Sequence, residues 1–250
     1  MYNCLNITKM KLKKSNLNKL FLNVGSAGLI ALLFFGCSKD SLNINTAPPV
    51  VAGVNFIQAS PDAPLINVYS NGILVNGLPL SYGSNTEYLT VNAGLDTTAF
   101  FNATTKQKIF SVNINFVKSN AYSLFLANKI GQGEVILLTD TLARPSAGSA
   151  GIRFVNVSPD APAVDLVIKN GATLVSNKSF RGFSSFQSIP GDVTYNLEIH
   201  QAGTANVLAT LNSVKLSSNY IYTFWLHGLV ANTSSADQLK LDVFTNAFYL

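Results

Sequence analysis

The sequence predicts an all-β chain built as two tandem β-sandwich domains, immunoglobulin-like or transthyretin-like. Three observations carry this. The pentapeptide Ser60-Pro61-Asp62-Ala63-Pro64 returns as Ser158-Pro159-Asp160-Ala161-Pro162, with Phe56 and Phe154 each four residues ahead of it. A repeat at this spacing is too long for a solenoid unit and matches a whole small domain of roughly 100 residues. Short apolar runs recur between turn signals, and no amphipathic helical stretch of useful length interrupts them. Hydrophobic residues make up 48% of the chain and charged residues 12%, so it can bury two cores while Asn, Ser and Thr dress the surface.

The strands follow in order. Val54–Phe56 and Ile152–Val155 open the two domains and stop at the Ser-Pro turns. Asn67–Tyr69 and Val164–Ile168 resume and end at Asn71-Gly72 and Asn170-Gly171, the dipeptide that most strongly signals a hairpin. Tyr88–Val91 corresponds to Gln187–Ile189, Thr98–Phe101 to Tyr195–Ile199, and Ala121–Leu126 to Tyr220–Trp225. Glu134–Leu138 and Leu239–Phe244 close the set. This gives six or seven strands per domain. The domains are 54–138 and 152–250, joined by a Pro-, Gly- and Ser-containing linker over 139–151.

The N-terminus reads as an address. Lys9, Lys11, Lys13, Lys14 and Lys19 precede the apolar run Val24–Phe35. A run of about 12 residues suits a signal-peptide core and falls short of the roughly 20 that span a bilayer. Residues 1–36 are therefore expected to be a signal peptide, with either Met1 or Met10 as its start. Leu33-Phe34-Phe35-Gly36-Cys37 resembles the lipobox of bacterial lipoproteins. That resemblance implies cleavage before Cys37, lipid attachment at Cys37 and a lipidated tether over 37–53. Two or more acyl chains anchor stably where one is marginal. The expected location is the outer membrane, facing either the periplasm or the outside.

Charge and cysteine usage narrow the classes. All five leader lysines are lost with the signal peptide, so Lys+Arg falls from 17 to 12 against 12 Asp+Glu. A basic face able to hold nucleic acid needs more, and nucleic acid is not expected as a partner. Only Cys4 and Cys37 exist, so the exported part holds no disulfide, although its compartment would allow one.

The chemistry-bearing residues are few. In the repeated turn, Ser60, Pro61, Asp62 and Pro64, like Ser158, Pro159, Asp160 and Pro162, make a rigid structural turn. Proline fixes φ and removes a donor, while Ser and Asp bond nearby amides. One carboxylate per turn is thin for calcium, and no metal or cofactor is expected. His200 and His227 are the only histidines; they read as polar residues at strand ends, outside any metal-ligand spacing. No nucleophile elbow or phosphate loop occurs. A pair of carboxylates brought together in space is invisible to sequence, but the expectation is a protein that is not an enzyme.

Aromatic residues are the better lead. Phe180, Phe183 and Phe186 recur every third residue around Arg181, and Tyr82 and Tyr88 hold the corresponding region of the first copy. Tyr82, Arg181, Phe183 and Phe186 are the candidate ligand residues. Core filling is the other role open to these aromatics.

Val54–Tyr69, Asn71-Gly72 and Leu80–Ser84, with Ile152–Asp165 in the second copy, are similar to the DUF4397 family, a domain of unknown function. The second copy departs at Phe180–Phe183, where Arg181 is matched to Tyr82. The resemblance implies architecture and an envelope location, and brings no catalytic residues. The expected protein is a cell-envelope lipoprotein acting as a non-catalytic binding or scaffolding module, or alternatively a glycan-binding module. Its partners would be the membrane, through acyl chains on Cys37, and envelope proteins or polysaccharide.

Overall fold

The computed structural model describes residues 50–233 and 236–250. The expected signal peptide, the expected lipid site Cys37 and the expected tether up to residue 49 lie outside the described residues.

Eight strands form the first sandwich: β1 (Val51–Gln58), β2 (Ile66–Ser70), β3 (Ile73–Leu74), β4 (Asn85–Asn92), β5 (Gly94–Asn102), β6 (Lys108–Phe116), β7 (Ala121–Ala127) and β8 (Glu134–Thr139). The second comprises β9 (Ser149–Asn156), β10 (Val164–Ile168), β11 (Thr173–Lys178), β12 (Gln187–Pro190), β13 (Val193–Gln201), β14 (Val207–Leu216), β15 (Tyr220–His227) and β16 (Lys240–Phe248). Sheet order is β4-β1-β7-β8 over β3-β2-β5-β6, and then β12-β9-β15-β16 over β11-β10-β13-β14. The second sandwich thus repeats the first strand for strand, including the parallel pairs β1–β7 and β9–β15. Eight strands in two sheets of four make each half a β-sandwich with one strand more than the seven-strand immunoglobulin arrangement.

Several expectations shift. Each sandwich has eight strands rather than six or seven. The strands the sequence did not show, β3, β6, β11 and β14, all lie at sheet edges, where fewer residues are deeply buried and alternation is blunted. β1 begins at Val51, within the expected tether, because Gly53 pairs with both Thr90 and Ala121. β9 likewise starts at Ser149, within the expected linker. The first Asn-Gly makes a two-residue hairpin, with Ser70 opposite Ile73 and φ of 47° and 80° at Asn71 and Gly72. That is the left-handed pair a type I′ turn requires. The second is a wider turn in which Ile168 N–H bonds Ala172 O, 2.9 Å.

Within each sandwich the inward residues build a core: Val54, Phe56, Val68, Phe100 and Leu124 in the first, and Ile152, Phe154, Leu166, Leu197 and Phe224 in the second. A third apolar cluster joins the two. Ile57, Ala59, Phe125, Ile136 and Leu138 of the first pack on Val155, Val157, Trp225 and Phe244 of the second. The same face of the same sheet is used in both halves, so β1 and β9 are covered on two sides and share the burial pattern of alternating, then continuous, burial. Strands buried on both faces read as unbroken apolar runs. Phe125 and Trp225, each one residue beyond the inward Leu124 and Phe224, meet at 6.0 Å.

Candidate functional site

A polar network interrupts the apolar contact between the sandwiches. Arg153 projects from β9 at the alternate position to Ile152 and Phe154, so its side chain faces the first sandwich. Its Nη2 lies 2.6 Å from Asp140 Oδ1, with side chains 3% and 0% exposed. The same nitrogen donates to Ser123 Oγ and Nε donates to Thr223 Oγ1, both at 2.8 Å. Ser123 Oγ–H and Tyr88 O–H donate to Asp140 Oδ2. Burial, with Asp140 beside it, pushes the Tyr88 hydroxyl well above its ordinary pKa, which keeps it a donor. Asn246 completes the set, accepting from Thr223 Oγ1 at 2.6 Å and donating to Tyr88 Oη at 2.9 Å. It is the extra residue of a β-bulge, since Ile221 faces Ala247 while Tyr222 faces Thr245. Such a bulge re-aims a side chain.

Above Arg153 a cavity of about 440 Å³ opens between the connection from β8 to β9 and the segment leading into β12. Phe183 stands on its wall at 52% exposure. Phe186 lies with its ring 4.5 Å from the Arg153 guanidinium carbon, a cation–π distance. Ser184 fixes this segment to β9, accepting from Phe154 N–H at 3.0 Å and donating its own N–H to Phe154 O at 2.9 Å. Thr139, Thr141, Ser185, Gln187 and Ser188 offer hydroxyls and an amide to the space. At the floor, a Cβ on Gly151 would meet Ile221 Cγ1 at 3.4 Å and Pro145 Cγ at 3.7 Å. A larger side chain there would grow into the opening.

The four candidate ligand residues separate. Phe183 and Phe186 share the cavity. Tyr82 and Arg181 line neither it nor the smaller cavity near Asn76–Leu80, and each reaches across to the other sandwich. Arg181 Nε and Nη2 lie 2.8 and 2.7 Å from Glu134 Oε2. Tyr82 bonds His227. The pairing of Arg181 with Tyr82 is also corrected. Gly83 N–H bonds Gln58 O and Arg181 N–H bonds Asn156 O, so Arg181 is the counterpart of Gly83 and Phe180 that of Tyr82. Both counterparts take the left-handed region, φ 79° and 69°, a conformation that made glycine the natural match by eye.

In the repeated turns, Ser60 and Ser158 hydroxyls face Asp62 and Asp160 at 3.3 Å. The aspartates also reach further. Asp62 accepts from Ile130 N–H at 2.8 Å, and Asp160 from Val230 and Ala231 N–H at 2.9 and 3.1 Å. Each turn thus clasps the loop that follows the seventh strand of its own sandwich.

His227 is the residue most under-read from sequence. It is 1% exposed and stacked on Trp225, with ring centroids 4.0 Å apart. Its Nε2 lies 2.7 Å from Asp242 Oδ2 and its Nδ1 2.8 Å from Tyr82 Oη. A carboxylate only accepts, which places the proton on Nε2 and leaves Nδ1 to accept from the tyrosine. Burial, reinforced by Asp237 and Asp242, raises the Tyr82 pKa, in keeping with that donor role.

The bond from His227 holds the Asp242 carboxyl below its ordinary 3.8. A carboxyl depressed in the folded state adds stability above its unfolded pKa and loses it as pH falls through the folded one. Asp242→Asn should therefore shrink the drop in urea midpoint between pH 5 and pH 3. An equal drop in both proteins would show that the His227–Asp242 bond has no part in acid stability.

No curated protein matches the chain. Among solved structures, CBMbc (family CBM26) from Eubacterium rectale Amy13K in complex with maltoheptaose aligns over 79% of this chain and 97% of that chain. The identity is 10% and the TM-score 0.26, and a likeness that slight carries no argument. The family comparison is local: it takes in the first sandwich and ends at Val167, within the second strand of the next. Residues 52–167 match DUF4397, described as a domain of unknown function.

Proposed function

We propose that this protein is a non-catalytic binding module of the cell envelope that takes a saccharide in the cavity above Arg153. The carrying observation is the wall of that cavity: an aromatic face on Phe183, 52% exposed, beside a rim of hydroxyls and an amide. Sugars present apolar C–H faces and many hydroxyls, so they are recognised by stacking together with polar groups held in fixed positions. The cavity lies within the usual range of a few hundred Å³ for small-ligand sites.

Phe183→Ala removes an exposed ring, so the fold should be kept. A glycan array probed with the full chain should show saccharide binding, weakened about tenfold or more in the variant. Envelope proteins recovered without saccharide binding would turn the reading to scaffolding, and binding unchanged by the variant would remove Phe183 from the site.

The envelope location rests on the Lys-rich leader, its short apolar core and the lipobox-like Leu33–Cys37. Acyl chains on Cys37 would hold the protein to the outer membrane while the tether gives the sandwiches reach. Cys37→Ser should move the protein from the membrane to the soluble fraction and abolish labelling with a palmitate analogue. Retention of both by the variant would rule out anchoring at Cys37.

A further inference from the structure

We infer that the end of the first sandwich at which the chain arrives from Cys37 rests on the lipid surface. This rests on the acyl anchoring proposed above and adds a second, apolar contact to it. Val50 leads into β1 at that end, its carbonyl accepting from Ala93 N–H at 2.8 Å. Around it stand Leu95 at 73% exposure and Val117 at 53%, with Val50 itself at 48%. Leu95 lies opposite Asn115 on β6, so Val117, two residues on, is its diagonal neighbour. Ser119 N–H bonds Val51 O at 2.9 Å, which brings this segment beside the start of β1. The hairpin tip, tied by Asn71 N–H to Thr97 O at 3.1 Å, adds Ile73 at 64%.

The duplicate shows that the fold does not ask for these side chains. Gly191 N–H bonds Gly148 O as Ala93 N–H bonds Val50 O. Ser217 N–H bonds Tyr222 Oη as Val117 N–H bonds Tyr122 Oη, each at 3.0 Å. Val193 pairs with Leu216 as Gly94 pairs with Phe116, which sets Thr194 against Leu95. Gly148, Thr194 and Ser217 therefore hold in the second sandwich the places of Val50, Leu95 and Val117. Val193 is apolar there and 39% exposed, but the exposed Asp192 and Lys215 flank it. Apolar residues scattered over a surface mean little; these converge where the chain arrives and are replaced at the equivalent end of the second copy.

Charge and reach fit a bilayer as the occupant. Asp96 is wholly buried between Ser70 and Thr98, and Lys118 is the one exposed charge among residues 92–97 and 115–120. Apolar side chains reach the headgroup boundary while a lysine at their rim meets lipid phosphate. Val50 is thirteen residues after Cys37, a reach of at most about 45 Å. Anchoring makes the contact intramolecular in effect, so a patch too weak to recruit a free protein suffices.

The test uses the acylated protein with its leader removed. It has no free thiol on this reading, since Cys4 leaves with the leader and Cys37 carries lipid. Leu95→Cys, Val117→Cys and, in the second sandwich, Thr194→Cys are each labelled with bimane. They are reconstituted in phosphatidylethanolamine–phosphatidylglycerol vesicles with and without a nitroxide near the top of the acyl chain. Interfacial apolar side chains sit about 5–10 Å into the headgroup boundary, so emission at 95 and 117 should fall about twofold or more and stay unchanged at 194. No quenching at 95 and 117 in protein that floats with the vesicles overturns the inference and leaves the anchoring standing; a second copy or another part of the chain over this end gives that result. Equal quenching at all three positions also overturns it, because the contact is then not particular to this end. Bimane uptake by the parent chain, or failure to float with the vesicles, overturns the anchoring and the inference together.

Discussion

Arg153→Met is expected to lower the unfolding free energy by about 3–5 kcal/mol, the usual cost of stranding one partner of a buried ion pair. The reason lies in what stays behind. Asp140 remains buried with only the Ser123 and Tyr88 hydroxyls as side-chain donors, and neither neutralises its charge. Thr223 and Asn246 lose the group around which they are arranged. Removing both charges should cost far less than the two single losses together, because no unpaired ion is then buried. Arg153→Met, Asp140→Leu and the double variant, compared by urea unfolding, measure this coupling directly. A single-variant loss below about 1 kcal/mol would mean that water reaches the pair and that it behaves as a surface contact.

Trp225→Ala should cost a similar amount, about 3–5 kcal/mol for deletion of a large buried aromatic, and should change the form of unfolding as well. Trp225 packs on Phe125 and His227 and belongs to the cluster between the sandwiches, not to either inner core. Its loss weakens what makes the two halves unfold together. Calorimetry should resolve one transition in the parent and two in the variant. Phe224→Ala, one residue earlier but inside the second sandwich, should destabilise that half without opening the contact. A single sharp transition in Trp225→Ala would show that the remaining interface suffices for coupling.

Much of this architecture was legible because repeats and period-two alternation survive in the strands that matter most. Phe56 and Phe154 mark equivalent inward positions, and the Asn71-Gly72 hairpin forms as its dipeptide dictates. Edge strands such as β6 and β14 escaped because their residues are mostly half-exposed and give no strong apolar rhythm. The site was half legible. Phe183 and Phe186 could be singled out by spacing, but their separation from Tyr82 and Arg181 depends on which sheet faces the neighbouring sandwich. Arg153 had a signal that went unread: an arginine flanked by Ile152 and Phe154 in a strand apolar on both faces is a buried charge in search of a partner. Asp140, thirteen residues upstream across a turn-rich connection, could be named as that partner only once the two sheets were seen to meet.

The face-to-face packing has a consequence for descent. A sandwich that buries one outer sheet against the equivalent sheet of its own duplicate is arranged like a two-fold homodimer in which each surface patch meets its copy. In such a dimer any charge on the patch is present twice, and an arginine favourable to one subunit faces its own likeness. Fusion of the two copies lifts that restriction. Asn55 in one half can become Arg153 in the other, and Asp140 need exist on one side only. The fused chain thereby gains a polar centre and an adjoining cavity on one flank, which a self-pairing single domain could form only in duplicate.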